Sequence, residues 1–247
     1  MFSKHLLEEI DSTNNYAKRL VELGEADEPI AIRAKRQTAG RGSRGRSWAS
    51  FDGNVLATFV FEAPLEGRYL PQLVYSVSLA VYDTVKEVCD DQKVEIKWPN
   101  DILLNKMKVS GSLHETAYGP LGNRFVAGIG INVQHFPSTE TLIPASSLAA
   151  QGCTELTAAK VFDILCDKMA KRLLQAAKKP FADIRDEVLS VSYGVGDEIS
   201  VSVSGDRSDA AIGTFIGIDD DGYMLMKDQN GKTVKFSTGT IFSDLKD

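Results

Sequence analysis

The sequence of 247 residues has few of the side chains that build metal sites or disulfide frameworks. It contains three scattered histidines and three cysteines, Cys89, Cys153 and Cys166. Because the cysteine count is odd and the spacings are long, the pattern favours reduced thiols over a disulfide framework or a zinc site. No cluster of metal-ligand residue types stands out along the chain.

Long apolar runs and an excess of positive charge are also missing. No run of about eighteen apolar residues occurs, which argues against a transmembrane helix. Glu8 and Glu9 stand where a signal peptide needs an apolar core, so we expect a cytoplasmic protein without membrane association. The formal net charge of −6 argues against binding nucleic acid through overall charge.

One stretch departs from this acidic balance. Between residues 29 and 51 the chain has six positive side chains and no acidic one, and its centre reads Gln37-Thr38-Ala39-Gly40-Arg41-Gly42-Ser43-Arg44-Gly45-Arg46-Ser47-Trp48. Glycines let backbone N–H groups approach a ligand closely, and guanidinium groups are planar donors for phosphate or carboxylate. This glycine–arginine loop (residues 37–48) therefore predicts an anion site, and the adjacent Trp48 suggests a stacked planar group such as a nucleobase.

Two other interpretations explain this loop less well. The residues from Gly40 to Gly45 match G-x-G-x-x-G, but the dinucleotide fingerprint needs a helix to open at the glycines. The residues after Gly45 have no helical periodicity. A merely solvated basic loop would explain the glycines and charges but not the neighbouring Trp48.

Hydrophobic periodicity divides the chain into an α+β domain over residues 1–192 and a small β module over residues 193–247. The first part has predicted helices at 15–23, 71–88, 157–178 and 181–192, and predicted strands at 7–11, 30–34, 54–62 and 124–133, with a hairpin over 94–116. The second part has four short predicted strands at 198–203, 210–218, 223–227 and 233–236, which indicate a barrel-like module. The polar segment 134–152 is expected to be a mobile loop.

Three motifs allow both structural and functional interpretations. Ser12-Thr13-Asn14 precedes the first helix and is typical of a plain N-terminal cap, yet its hydroxyl and amide groups also suit a polar ring ligand. Lys108 lies on a predicted strand, where side-chain alternation is equally consistent with a functional lysine and with an outward, solvated one. Gly128 and Gly130 indicate that something packs closely on one face of their strand.

Together these residues resemble the biotin–protein ligases, specifically the biotin–[acetyl-CoA carboxylase] ligase family. The matching motifs, in the family's order, are Ser12-Thr13-Asn14, Gln37 to Trp48, Lys97-Trp98-Pro99-Asn100-Asp101, Lys108-Val109-Ser110-Gly111 with Glu115, and Gly128-Ile129-Gly130-Ile131-Asn132. With the β module, the resemblance extends over nearly the whole chain. It implies an α+β fold, in which a mixed sheet flanked by helices is followed by a small SH3-like β-barrel.

The resemblance also implies a two-step, ATP-dependent reaction. The carboxylate of biotin would attack the α-phosphorus of MgATP, giving biotinyl-5′-AMP and pyrophosphate. A lysine of a biotin carboxyl carrier protein, as in acetyl-CoA carboxylase, would then accept the biotinyl group. Both steps gather negative charge on phosphate oxygens, which positioned cations stabilise. The implied ligands are biotin, ATP and Mg²⁺, the implied partner is the carrier protein, and a homodimer is compatible with the resemblance.

Residue by residue, the resemblance implies three sets of side chains. Biotin binding would fall to Ser12, Thr13, Asn14, Gln37, Gly40, Arg41, Gly42, Ser43, Lys108 and Gly111. Nucleotide binding would fall to Arg41, Arg44, Arg46, Trp48, Asn100, Asp101, Lys108 and Asn132, with Asp101 as a ligand of Mg²⁺. Lys108 and Arg41 are the expected catalytic residues, so the resemblance favours a functional Lys108 over a solvated one.

Two alternative functions remain open. A lipoate or octanoate ligase would share the fold and the central lysine, although the complete glycine–arginine loop, the Trp98–Asp101 turn and the β module favour biotin. A biotin-binding regulator without catalysis is disfavoured by Lys108 and Arg41. A DNA-binding role is not expected, because the ligase motifs begin at residue 12 and leave no room for an N-terminal winged helix-turn-helix.

Overall fold

The computed structural model describes residues 2–63, 67–138 and 144–242, which form one large sheet, four helices and one small sheet. The large sheet has seven strands in the order β1-β2-β3-β7-β6-β5-β4. Their bounds are β1 Ser3–Ile10, β2 Ile30–Gln37, β3 Val55–Glu62, β4 Val94–Lys97, β5 Asp101–Leu104, β6 Met107–Gly119 and β7 Gly122–Ile131. Among the described strands of this sheet only β1 and β2 pair in parallel, so the sheet is mixed, as expected.

Helices cover both faces of the large sheet. Their bounds are α1 Thr13–Glu22, α2 Leu70–Val88, α3 Ala158–Ala176 and α4 Phe181–Ser190. On one face, α1 buries Ala17 and Leu20 against Val60, whereas the neighbouring Phe59 belongs to the larger core formed with α2 and α3. Because successive side chains of β3 point to opposite faces of the sheet, this strand contributes to two separate cores. None of the helices within the described residues combines the length and apolar composition that a bilayer span requires.

The small β module is an antiparallel sheet in the order β11-β10-β9-β8-β12. Its strands are β8 Glu198–Ser202, β9 Ala211–Ile218, β10 Met224–Asp228, β11 Thr233–Phe236 and β12 Thr240–Phe242. The first four strands confirm the predicted ones. The sequence did not predict β12, because three residues are too short for a periodic pattern, and its register is set by pairing with β8.

Trp98 lies at the junction of the two sheets. Its indole Nε1 donates to the hydroxyl oxygen of Tyr75 at 3.0 Å, and that hydroxyl donates to the carbonyl oxygen of Gly222 at 2.8 Å. A Cβ at Gly239 would lie 3.2 Å from the Trp98 ring, so the small module packs directly against it. Buried residues of both sheets form one continuous cluster. The domain boundary at residues 192 and 193 stays a prediction.

The predicted mobile loop at 134–152 is only partly described, because residues 139–143 lie outside the described residues. Its later part is not a free loop. The backbone of Lys108 bonds to Pro144 and Ser146, and Leu148 bonds to Asn132, each at 2.8 to 2.9 Å. The prediction of a mobile loop is therefore wrong for residues 144–149, because their backbone groups pair with the ends of β6 and β7.

The prediction of three reduced cysteines was wrong. Cys89, at the end of α2, forms a disulfide with Cys153, and Cys166 is a free buried thiol. The two bonded residues are 64 positions apart, and only the fold brings their Cα atoms to 5.6 Å. The bond ties the end of α2 to the chain just after the segment that pairs with Lys108.

We expect reduction of this disulfide to lower the free energy of unfolding by roughly 4 kcal/mol, because a long closed loop restricts the unfolded chain. Urea denaturation with and without dithiothreitol measures the difference. The Cys89→Ser/Cys153→Ser double variant is the control and should not respond to dithiothreitol. Equal stability of the oxidised and reduced wild type would contradict the expected stabilisation.

Candidate functional site

The glycine–arginine loop lies over the sheet face that carries α1, and it encloses a cleft of about 740 Å³. All the predicted site residues except Gly40 line this cleft. Gly40 instead closes the base of the loop, where its carbonyl oxygen accepts from the Trp48 amide at 3.0 Å. A Cβ at Gly40 would lie 2.5 Å from the Trp48 carbonyl oxygen, so the backbones can meet only at a glycine.

One end of the cleft is lined by hydroxyl and amide groups from the start of α1. The side-chain oxygen Oε1 of Gln37 accepts from the backbone amide of Thr13 at 2.8 Å and lies 3.1 Å from its hydroxyl. Thr58 Oγ1 lies 2.6 Å from Asn14 Oδ1. Ser12 is 2% exposed and makes no capping bond, so the plain-cap interpretation fails for its side chain. These groups are fixed before any ligand binds.

Arg41 is held by a carboxylate. Its guanidinium donates to both oxygens of Glu115, at 3.0 and 3.1 Å, and Lys18 contacts the same carboxylate at 3.0 Å. Burial opposes ionisation, but hydrogen bonds from Asn14, Lys18 and Arg41 keep the pKa of Glu115 below its ordinary value. The guanidinium of Arg41 is therefore oriented, and its charge is partly balanced by a carboxylate that it shares with Lys18.

Lys108 faces the cleft, so it is not the outward, solvated lysine that the alternation allowed. Ser110 pairs with Ile102 and Lys108 pairs with Leu103, which leaves Val109 as an extra residue in a β-bulge. In a regular strand, residues three positions apart lie on opposite faces of the sheet. The bulge instead turns Lys108 toward the same face as Gly111. Lys108 Nζ lies 2.6 Å from Asp101 Oδ1 and its side chain is 25% exposed.

Trp48 lies on the floor of the cleft, directly against the sheet backbone. A Cβ at Gly130 would lie 2.2 Å from the indole ring, and a Cβ at Gly128 would lie 2.2 Å from Asn14 Oδ1. The expectation of close packing at these two glycines is therefore confirmed. The indole Nε1 is buried and has no hydrogen-bond partner among the described residues. The Lys108 ammonium lies 5.7 Å from the ring centroid.

The remaining predicted residues surround the far end of the cleft. Arg44 donates to Thr240 and Thr238, Arg46 donates to the Ser43 hydroxyl at 3.1 Å, and Asn132 donates to the Ser146 carbonyl oxygen at 3.0 Å. Asn100 donates to the Ser112 carbonyl oxygen. Within the described ranges, no group of three metal-ligand residue types converges. Asp101 is thus a single candidate carboxylate rather than part of a protein-only metal site.

The geometry matches the resemblance, and the comparisons with known proteins decide the family. The model of the Biotin/lipoate A/B protein ligase family matches residues 6–132, and that of the Biotin protein ligase C terminal domain matches residues 203–243. A biotin–[acetyl-CoA-carboxylase] ligase from Paracoccus denitrificans is 32% identical, over 93% of this chain and 96% of the relative. This chain belongs to the biotin protein ligase family.

Two further members of the family are similar to this chain over almost its whole length. The bifunctional ligase/repressor BirA of Bacillus subtilis is 30% identical, over 94% of this chain and 72% of the relative. The solved biotin protein ligase from Aquifex aeolicus, in complex with biotin and ATP, has a TM-score of 0.79 at 25% identity, with 98% of both chains covered. The likeness confirms the mixed sheet with flanking helices and the SH3-like β module.

In this member of the family, one cleft cation was missed as a site residue. Lys97, the last residue of β4, is 2% exposed and has no hydrogen-bond or ion-pair partner among the described residues. Burial lowers its pKa to about 8, helped by the positive charges of Lys108 and Arg46 and opposed by Asp101. Lys97 begins the motif that ends at Asp101, but the sequence alone does not show that its side chain is buried without an ion-pair partner.

The close contact at Gly130 generates a test. Gly130→Ala should expel the Trp48 ring from the cleft floor, because the added carbon would overlap the indole. Since the chain has two tryptophans and Trp98 stays buried at the junction of the two sheets, fluorescence emission should shift to longer wavelength. Gly67→Ala is the control, as nothing lies within 4 Å of its added carbon. Unchanged emission in Gly130→Ala would contradict the placement of Trp48.

Proposed function

We propose that the cleft joins biotin to ATP as biotinyl-5′-AMP and then passes the biotinyl group to a lysine of a biotin carboxyl carrier protein. The observation that carries this proposal is the set of four cations at one end of the cleft, Lys97, Lys108, Arg44 and Arg46. Among the described residues, only Asp101 forms an ion pair with any of them. Such a cluster is suited to the triphosphate of ATP.

The opposite end of the cleft suits the ureido ring of biotin. That ring offers two N–H donors and one carbonyl acceptor, so it needs both acceptors and donors from the protein. Ser12, Thr13, Asn14 and Gln37 supply hydroxyl and amide groups there. The Ser12 hydroxyl has no partner among the described residues, which leaves it free to donate.

Lys108 would act where the two ligands meet. Its ammonium belongs to the cationic end, where a Cβ at Gly111 would lie 3.2 Å from Lys108 Nζ and 3.1 Å from Asp101 Oδ1. From there it would bridge the biotin carboxylate and an α-phosphate oxygen, offsetting the repulsion between them. Arg41 would assist from its fixed position on Glu115. Trp48 and Asn132 would border the nucleotide, and Gly40 and Gly42 would shape the loop backbone.

Mg²⁺ fits this arrangement as a partner of the nucleotide. Magnesium sites on nucleotides need only one or two protein carboxylates, because phosphate oxygens and water supply the other ligands. Asp101 would hold the ion, with Asn100 beside it. When bound, Mg²⁺ would neutralise charge on the phosphates.

The relatives' names support the proposed acceptor and the proposed acid substrate. One relative is named for acetyl-CoA carboxylase, which supports a carrier protein of that enzyme as the acceptor. The biotin ligases among the relatives favour biotin over lipoate or octanoate. A catalytically active protein is favoured over a biotin-binding regulator by the four cleft cations. The cytoplasmic location, the homodimer and the lack of DNA binding stay predictions.

Lys108→Ala should abolish most biotin-dependent exchange between ATP and pyrophosphate while leaving the fold intact. Loss of one preorganised donor to a developing oxyanion costs about 3 to 4 kcal/mol, or roughly 10²- to 10³-fold in rate. Lys106→Ala, at the exposed turn before β6, is the matched control and should retain activity. Near-native exchange by Lys108→Ala would rule out the proposed role of this lysine.

The lowered pKa of Lys97 predicts that kcat/KM for ATP depends on pH. The ratio kcat/KM for ATP reports the free enzyme, in which Lys97 is protonated only below a pKa of about 8. Raising the pH through that value removes the charge that would attract phosphate, so kcat/KM for ATP should fall. Lys97→Arg keeps its charge to much higher pH and should move the fall upward. Identical pH profiles for the two proteins would refute a phosphate contact by Lys97.

A further inference from the structure

Arg44 has a backbone conformation that a non-glycine residue rarely adopts. Its φ is 58° and its ψ is 40°, within the left-handed region. Such a conformation persists only where the surroundings hold the residue in place. For Arg44 the surroundings include the small β module, which is almost two hundred positions further along the chain.

The contacts of Arg44 are two threonine hydroxyls. Nη1 donates to Thr240 Oγ1 at 2.6 Å, and Nη2 donates to Thr238 Oγ1 at 3.2 Å. No carboxylate within the described residues forms an ion pair with Arg44, in contrast to Arg41, which is bound by Glu115. Neutral hydroxyls orient a guanidinium without cancelling its charge, so Arg44 keeps its full attraction for an anion.

The two hydroxyls stand on a well-supported wall of the cleft. Residues 237–239 connect β11 to β12, and Thr240, the first residue of β12, pairs with Ser202 in the sheet. Gly239, between the two threonines, packs against the buried ring of Trp98. Trp98 directly follows Lys97, so the connection is anchored beside another cleft cation. Burial and the charge of Arg46 lower the pKa of Arg44, and the charge of Asp101 opposes this shift without forming an ion pair with Arg44.

We infer that Thr238 and Thr240 are positioning residues that hold Arg44 toward the triphosphate of ATP, so that the small β module takes part in nucleotide binding. This inference rests on the proposed function. Without the hydroxyls, Arg44 would lose its orientation before ATP arrives, and binding would have to restore it. The biotin end of the cleft lies away from these contacts, so biotin affinity should not change.

The test is the double variant Thr238→Val/Thr240→Val, which keeps the side-chain shape and removes both acceptors. In biotin-dependent exchange between ATP and pyrophosphate, we expect KM for ATP to rise roughly tenfold, the effect of about one hydrogen bond to a charged group. The value of kcat and the dissociation constant of biotin should stay near those of the wild type. Thr238→Ser/Thr240→Ser retains both hydroxyls and should restore KM for ATP.

Two further sets of variants distinguish a positioning role of the two threonines from a general structural effect. Thr233→Val, at an exposed threonine of the same module, should leave KM for ATP unchanged. Arg44→Ala should raise KM for ATP, and adding the two valine substitutions to it should cause little further rise, because the threonines act through Arg44. An unchanged KM in the double valine variant, or effects that add fully to that of Arg44→Ala, would overturn the inference.

Failure of the proposed function would look different. The wild type itself would then show no biotin-dependent exchange. Calorimetric titration of the wild type and the double valine variant with ATP would still compare their nucleotide affinities. Weaker ATP binding by the variant would support the positioning role, and equal binding would overturn it.

Discussion

The concentration of positive charge in one partly closed cleft is the constraint on which the rest of the structure depends. Lys97, Lys108, Arg44 and Arg46 border the same space, and Asp101 is their one ion-pair partner among the described residues. Like charges repel more strongly where water is partly excluded. The protein must therefore hold these side chains in place by packing, and an anionic ligand relieves the repulsion when it binds.

Close backbone packing provides much of that support. The glycines at 128 and 130 let Asn14 and Trp48 lie against the sheet, and the bulge at Val109 turns Lys108 toward them. Behind Lys108, Pro144 and Ser146 pair with its backbone, and the Cys89–Cys153 disulfide connects the chain just beyond this segment to the end of α2. The position of one ammonium group thus depends on contacts that extend from the sheet to a helix on its opposite face.

The arginines of the glycine–arginine loop are supported in two chemically different ways. Arg41 is bound to the carboxylate of Glu115, which fixes its direction and offsets its charge. Arg44 is bound to neutral threonine hydroxyls, which fix its direction and leave its charge available. The two forms of support suit different tasks, since a cation paired with a carboxylate shapes a pocket, whereas a cation without an ion pair attracts phosphate. The small β module enters the cleft through the second form.

The sequence by itself determined the helices, most strands, the separate β module and the loop that gathers arginines. These features follow from local periodicity and composition, which do not require distant residues to meet. The tertiary structure alone decided the facing of Lys108, the burial of Lys97, the pairing of Cys89 with Cys153 and the contacts of Arg44. Each of these depends on strand register or on residues far apart in the chain, so no local pattern could specify it.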